Sequence, residues 1–429
     1  MGRSQIKNLM FGLLCSAAVF VATLSLAAAG AAGTFRVRDF GAKGDGVTKD
    51  TAAVQAAVDA AAKAGGGTVE LDAGTYVTGS LFLRSNVDFH VGPGATLKAS
   101  GDRADYNAAD VCVQNEAWAG ENSSGAHLLL CLEQTNVVVR GEGTIDGNGA
   151  RFTVDPQTGR AWPMGRIPWR PSQMLFFAEC RNVRVEGLRL VNSPYWTCFF
   201  HGCDHVVARG LEVKTSRAPR TWNGDGIDVD CCRFVRISDC VIETDDDSIT
   251  LRANPRKLKR KQDCAYVTVE SCILSSLCNA VRLGVGNGTV RDAVFSNLVI
   301  RDTKTAVHFA PGYSRGHGTD IRNCRFSNLQ VDCQRFCVAN HQFSHEADVR
   351  DVFFNGVSGV QRDRSILWAV PEKPFGLFSF VDVNVNGGIE AVNAPKVVID
   401  GGTFAQNGLS KDEYDKLSDD IAHERRLLW

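Results

Sequence analysis

The sequence predicts an all-β fold, a right-handed parallel β-helix solenoid with a short N-terminal capping helix, and three observations carry that prediction. A short motif of alternating apolar residues recurs at Val137, Val183, Val206, Val235, Val267, Val290, Ile321, Val349 and Val397. Most copies are 23 to 32 residues apart, and the two longer steps, 46 and 48, are each consistent with one missed copy. A period of that length marks stacked repeats. Within each copy, apolar and polar residues alternate for a few positions and then meet Gly, Asn or Asp, which suits short strands joined by turns rather than helical repeats. The third observation is a cap. Asp50, the Ala-rich stretch Thr51–Ala64 and Gly65-Gly-Gly67 read as a helix with its N-cap and its glycine stop. An open-ended stack needs such a cover over its first coil.

The chain opens with Arg3 and Lys7, continues as an apolar run from Leu9 to Leu26, and turns small at Ala27, Ala29 and Ala31. That is the layout of a secretory signal peptide, with cleavage expected near residues 29–33; the run also has the length of a single membrane anchor. The expected organisation is a signal peptide over residues 1–33 and a single β-helix catalytic domain over 34–429, secreted or periplasmic. Its tail, 410–429, is charged with Leu417, Ile421 and Leu427 interspersed, which predicts a terminal helix against the last coil. Without the leader the chain carries 45 basic and 48 acidic residues, a net charge of −3. Nothing in that balance recruits nucleic acid or an anionic membrane. A monomer is expected.

Fifteen cysteines in a secreted chain suggest a disulfide framework. Their positions suggest packing instead. Val235-Arg-Ile-Ser-Asp-Cys240, Val267-Thr-Val-Glu-Ser-Cys272 and Thr319-Asp-Ile-Arg-Asn-Cys324 place Cys in one repeat slot, and Val183-Arg-Val-Glu-Gly-Leu188 puts Leu there. A slot shared by Cys and Leu is apolar and interior. Disulfides between stacked coils stay within geometric reach. No compact Cys-x-x-Cys pairing recurs, and neither a metal nor a cofactor is expected.

The richest segment is Asn223-Gly-Asp-Gly-Ile-Asp-Val-Asp230, followed by Glu243-Thr-Asp-Asp-Asp-Ser-Ile249. Asp225 and Asp246 are 21 residues apart, about one coil, which predicts matching positions on adjacent coils and one shared groove. Carboxylates that close oppose one another's ionisation, so at least one keeps its proton near neutral pH. A protonated acid beside an ionised base is what glycosidic cleavage requires. Asp-rich turns and calcium-binding acidic rows are the competing readings of such a segment.

The residues resemble those of the polygalacturonase-like family 28 glycoside hydrolases over nearly the whole mature chain. The resemblance runs through Asp39-Phe-Gly-Ala-Lys-Gly-Asp-Gly46, Ser85-Asn-Val, Gly94-Ala-Thr-Leu97, Ile145-Asp-Gly-Asn-Gly149, Arg170-Pro171 and Asn192-Ser-Pro-Tyr-Trp196. The cap portion is shared with the wider pectate-lyase superfamily. Asn223-Gly224-Asp225 matches the family's Asn-Thr-Asp motif, and Asp245-Asp246-Asp247 matches Gly-Asp-Asp with Asp in place of Gly. The resemblance implies an inverting glycoside hydrolase acting on a pectin-like or related polysaccharide or oligosaccharide. By it, Asp246 is the general acid, while Asp225 and Asp247 activate water.

Two family motifs are altered. The Gly-His-Gly motif falls at Leu277-Cys278-Asn279 or one residue later, so Cys278 or Asn279 replaces its histidine. The Arg-Ile-Lys motif, whose cations hold a substrate carboxylate, falls near Ala306-Val-His-Phe-Ala310, where His308 takes the Arg place and Lys is missing. A uronate pocket without them loses its strongest charge-assisted bonds. Substrate-binding candidates are therefore Asn223, Asn279, Arg282, His308, Tyr313 and Arg252, with His317 behind them; for a lone Arg, a place on a polar coil face is the alternative. Trp196 either stacks on a sugar or packs beneath the coil. Loops Asn107–Ala126 and Thr153–Pro171 are placed to close one end of the groove. A polysaccharide lyase and a non-catalytic glycan-binding solenoid are the rival functions, the first suggested by the shared cap and the second by the two altered motifs.

Overall fold

The computed structural model describes residues 33–117, 123–313, 318–341 and 344–407. The predicted signal peptide, the tail 410–429 and His317 lie outside the described residues. The predicted cap is present as helix α1, Thr51–Lys63, which buries Val54, Ala57, Val58 and Ala61 against the interior. Asp50 precedes it, but its carboxylate does not cap the helix. It accepts instead from the backbone N–H of Lys43 at 2.7 Å and of Gly44 at 3.0 Å, tying down the turn before the helix. Gly65 ends the helix at φ 91°, in the left-handed region where glycine is free of the Cβ penalty.

The rest is a parallel β-helix whose coils present three strand faces. One face consists of β1 Leu129–Leu132, β2 Leu175–Ala178, β3 Cys198–His201, β4 Ile227–Asp230, β5 Ile249–Ala253 and β6 Asn279–Gly286. The long strands β7 Thr289–Ala310 and β8 Asp320–Asn340 continue it. Leu129, Leu175, Cys198, Ile227, Ile249, Val281, Val307 and Cys337 stand in one inward column along this face. All are buried. Each such apolar side chain contributes roughly 1.5–3 kcal/mol relative to exposure, repeated at every coil. Toward the C-terminal end the interior becomes a stack of rings, Phe295, Phe326, Phe354 and Phe380, with centroids 4.7, 4.7 and 5.1 Å apart.

The register confirms the motif at Val137, Val183, Val206, Val235 and Val267, which form one column. It corrects the later copies. That column continues through Ala293, Cys324 and Val352, whereas Val290, Ile321 and Val349 stand in register with Cys264, three residues upstream. Cys324 therefore shares the Val267 slot, not that of Cys240 and Cys272. The 46-residue step is not a missed coil, since Val137 pairs directly with Val183 and the extra length is an excursion over residues 147–173. The 48-residue step does hold one, the strand Phe378–Val385 between Val352 and Val397.

All 14 cysteines among the described residues carry free thiols, and all but Cys112 and Cys278 are buried. Cys180, Cys203, Cys232 and Cys264 precede register-matched residues on successive coils and so stack at one corner. Cys180 Sγ lies 3.5 Å from Cys131 Sγ.

Candidate active site

The acidic residues meet where two turns enter β4 and β5. Ile227 faces Ile249, and Gly226 N–H donates to the Asp247 carbonyl at 2.8 Å. Asp225 thus stands beside Asp247, and Asp246 lies one position earlier, a one-residue correction to the expected pairing. Trp222 and Asn223 both adopt left-handed backbone, at φ 63° and 55°. Asp245 holds this turn. Its carboxylate accepts from Trp222 N–H at 2.9 Å, Gly224 N–H at 2.9 Å and Arg220 Nε at 3.2 Å, while its own N–H donates to Thr215 Oγ1 at 2.9 Å. A Cβ at position 224 would collide with Asp245 Oδ1, so a side chain there would displace that carboxylate. The aspartate that replaces the family glycine is a strut.

Arg170 braces the same turn from the other side. Its Nη1 donates to the carbonyls of Pro194, Thr221 and Trp222 at 2.9, 3.1 and 2.6 Å, and its Nη2 donates to Asn223 Oδ1 at 2.9 Å. The guanidinium rests on the Tyr195 ring, 4.5 Å from its centroid. Asn223 remains partly exposed.

Four carboxylates crowd the centre, and cations reach them unequally. Asp247 is fully buried, accepting from Asn279 Nδ2 at 2.6 Å and Arg282 Nη1 at 2.8 Å. Burial alone would raise its pKa, but Arg282 and Asn279 outweigh that and hold it below the usual carboxylate value. Asp246 is half-buried, and among the described residues no cation bonds to it. Burial first, then the charges of Asp247 and Asp245, push it up to about 7. Asp225 is raised by burial and by Asp228, Asp246 and Asp247, with Arg252 opposing. Adjacent residues 246 and 247 are thereby driven in opposite directions.

Several predicted substrate contacts are already engaged by neighbouring side chains. Arg252, 2% exposed, donates through Nη2 to Asp225 at 3.1 Å and through Nε to Asp228 at 2.8 Å. It lies 4.0 Å from the centre of the Trp196 ring, which is itself buried. Arg252 therefore braces the carboxylates within the strand face, and Trp196 is buried outside the solenoid interior, against Tyr195 and the outward Phe199, which fits neither a sugar-stacking ring nor one beneath the coil. Asn279 is likewise engaged by Asp247. His308 faces Arg282 from the next strand and bonds Asn340 Oδ1 at 3.2 Å. Burial and then Arg282 push its pKa down to about 4, so at neutral pH it is uncharged and does not replace the missing cation. Tyr313 places its ring 4.1 Å from the Arg282 guanidinium and is partly exposed. Among the described residues, Arg282 Nε and Nη2 have no hydrogen-bond partner although both are buried. Oxygens of Asp246 and Asp247 and the Cys278 sulfur lie within 4.8 Å of one another.

Asp228 lies in the acidic segment singled out above but with no role assigned to it, and Arg220 and the bracing role of Arg170 had no signal in the sequence. Each partner lies 24 to 53 residues away and is brought near by coil register.

The family model described as Glycosyl hydrolases family 28 matches residues 96–331, more than half of the chain. A probable polygalacturonase of Vitis vinifera is 30% identical over 294 residues, which cover 65% of this chain and 57% of that protein. The chain thus spans just over half of that relative's length. Alginate lyase 7 of Azotobacter vinelandii is 54% identical over 166 residues, 34% of this chain and 19% of that protein. Among solved structures, an exopolygalacturonase from Thermotoga maritima superposes with a TM-score of 0.61 at 21% identity, over 87% of this chain and 90% of that one. That likeness concerns the fold.

Proposed function

The chain belongs to glycosyl hydrolases family 28, and on that premise we propose that it is a secreted or periplasmic enzyme that hydrolyses O-glycosidic bonds of a pectin-like polysaccharide. It works as a single catalytic domain and a monomer. The observation that carries this reading is the opposed titration of two neighbouring aspartates. Asp246, with no cation and a pKa near 7, holds a proton to give to the leaving oxygen. Asp247, held ionised by Arg282 and Asn279, accepts a proton from the attacking water, which Asp225 orients from the adjacent coil. Arg252 offsets part of the cost of negative charge on Asp225, whose pKa stays raised by burial and the neighbouring carboxylates.

Arg282 supports an acidic sugar as the unit bound. Its Nη1 is engaged by Asp247, and Nε and Nη2, the side-on edge of the guanidinium, have no hydrogen-bond partner among the described residues. That edge is the geometry with which arginine grips a carboxylate in two parallel bonds. Buried donors left open cost about 1–3 kcal/mol, a cost that a uronate carboxylate would remove.

The test is turnover of a panel of pectic and neutral oligosaccharides by the intact protein and by Asp246→Asn. New reducing ends from the native protein and a loss of about 10²–10⁴ in kcat for the variant are expected; full activity in the variant rejects the assignment. Asp246 and Asp247 approach more closely than the ~6.5–9.5 Å usual between carboxyls of inverting enzymes. The product anomer, read by NMR at the first turnovers, is therefore decisive, and retention would overturn the proposed use of water. The partial likeness to an alginate lyase gives a second reading, cleavage by elimination. Unsaturated products absorbing in the ultraviolet would select it.

A further inference from the structure

The groove over the strand face is blocked on one side of the carboxylates. Phe176 and Ala178 on β2, and Phe199 and His201 on β3, alternate with the inward Leu175, Phe177, Cys198 and Phe200, so they point out of the solenoid. Outward residues of a solenoid face meet solvent unless something lies over them. These four are 0% exposed. Phe176, Ala178 and Phe199 belong to a second hydrophobic cluster, separate from the interior, with Ala117, Tyr195, Trp196 and Val285, and the His201 ring stacks on Phe199.

The cover comes from the segments Tyr106–Ala117 and Ser123–Leu128. The His127 ring stacks on Phe176 with centroids 4.4 Å apart, and its nitrogens bond the Gln173 carbonyl and Asn115 Oδ1, each at 3.0 Å. Beyond the groove, Asn254 Nδ2 donates to the Ala117 carbonyl at 3.2 Å, and Lys257 pairs with Glu116. The cover is therefore fastened on both sides of the strand face. The excursion over 147–173 locks to it, since Trp169 packs against Tyr106 at 5.5 Å. The same excursion reaches the aspartate turn through Trp222 Nε1, which donates to the Trp162 carbonyl at 2.9 Å.

The distances fix how much room is left. The covered strand β3 is the immediate neighbour of β4, which follows Asp225. Adjacent strands are ~4.8 Å apart and the outward Asp228 and Asp230 of β4 are themselves buried, so on that side there is room for no more than about one sugar ring. On the other side Asp246, His308 and Tyr313 remain partly exposed. We infer that the covering segments restrict attack to chain ends, so that the protein releases a terminal unit of about one sugar per cut and does not cleave within a long chain. This rests on the hydrolytic reading above.

The experiment uses the full chain and a size series of whichever oligosaccharide the panel shows to be cut, tagged at the reducing end, with products resolved by mass at the earliest turnovers. One terminal product should exceed every internal fragment by at least about tenfold, the ratio given by ~1.4 kcal/mol of steric exclusion. Hydrolysis with a spread of mid-chain fragments from the start would overturn the closure and leave the hydrolytic reading standing. No hydrolysis of any substrate in the panel would remove both.

Discussion

Asp246→Asn should stabilise the fold in mildly alkaline solution and leave it unchanged in acid. The native carboxyl titrates at about 7 against an ordinary value of 3.8, because burial, then Asp247 and Asp245, oppose its charge. Below about pH 4 the group is protonated whether the chain is folded or not, and it contributes nothing. Between about 4 and 7 the unfolded chain ionises first, so stability falls as pH rises; above about 7 the folded protein carries the whole penalty. At ~1.36 kcal/mol per tenfold, that gap is about 4 kcal/mol at most. Asparagine keeps the shape and does not titrate, so it relieves that penalty. With an unfolding entropy of ~2.1 cal/mol/K per residue over roughly 400 residues, the gain is about 5 °C in Tm. Thermal melts of both proteins at pH 4 and pH 8 check it. The variant should melt about 5 °C higher at pH 8 and within about 1 °C at pH 4. A difference independent of pH, or a variant less stable at pH 8, would refute the view that the site forces charge onto this residue.

The same titration should appear in the rate: kcat falls about tenfold per pH unit above about 7, as Asp246 loses the proton it donates, and a flat profile to pH 9 contradicts that role. Asp245→Gly restores the family residue but removes the acceptor for Trp222 N–H, Gly224 N–H and Arg220. We expect a fall of at least about tenfold in kcat from a loosened turn, smaller in Asp245→Asn; an Asp245→Gly protein as active as the native one sinks the strut. Phe326→Ala, between Phe295 and Phe354, should cost about 3–5 kcal/mol in denaturant unfolding, and a loss below about 1 kcal/mol would mean that the ring stack is not part of the core.

The strand-and-turn pattern was legible because every coil must bury the same column, so Val137 through Val267 announce themselves at a regular step. The reading slipped at Val290 because β7 runs 22 residues without a break, and two apolar columns three residues apart both alternate within it. The 46-residue step misled for a different reason: a loop outside the stack adds length without adding a rung. Asp225, Asp246 and Asp247 stood out as a chemical type at a recognisable spacing. The division of labour among them did not, since it depends on which guanidinium reaches which carboxylate, and Arg252 and Arg282 arrive from one coil further on. Asp245 shows the limit most sharply: as one of three consecutive acids it reads as chemistry, and only its bonds to the preceding turn reveal a structural role.

The corner column of cysteines has a practical consequence. A buried thiol is unreactive toward an alkylating reagent until its own segment opens, so Cys180, Cys203, Cys232 and Cys264, with Cys131 and Cys337 on the strand face, are reporters fixed at known heights in the solenoid. Labelling the native protein over time and reading each site by mass would give an opening free energy for each coil that carries such a thiol. The profile would tell whether the central coils open one by one or yield all at once, with no residue changed to obtain it.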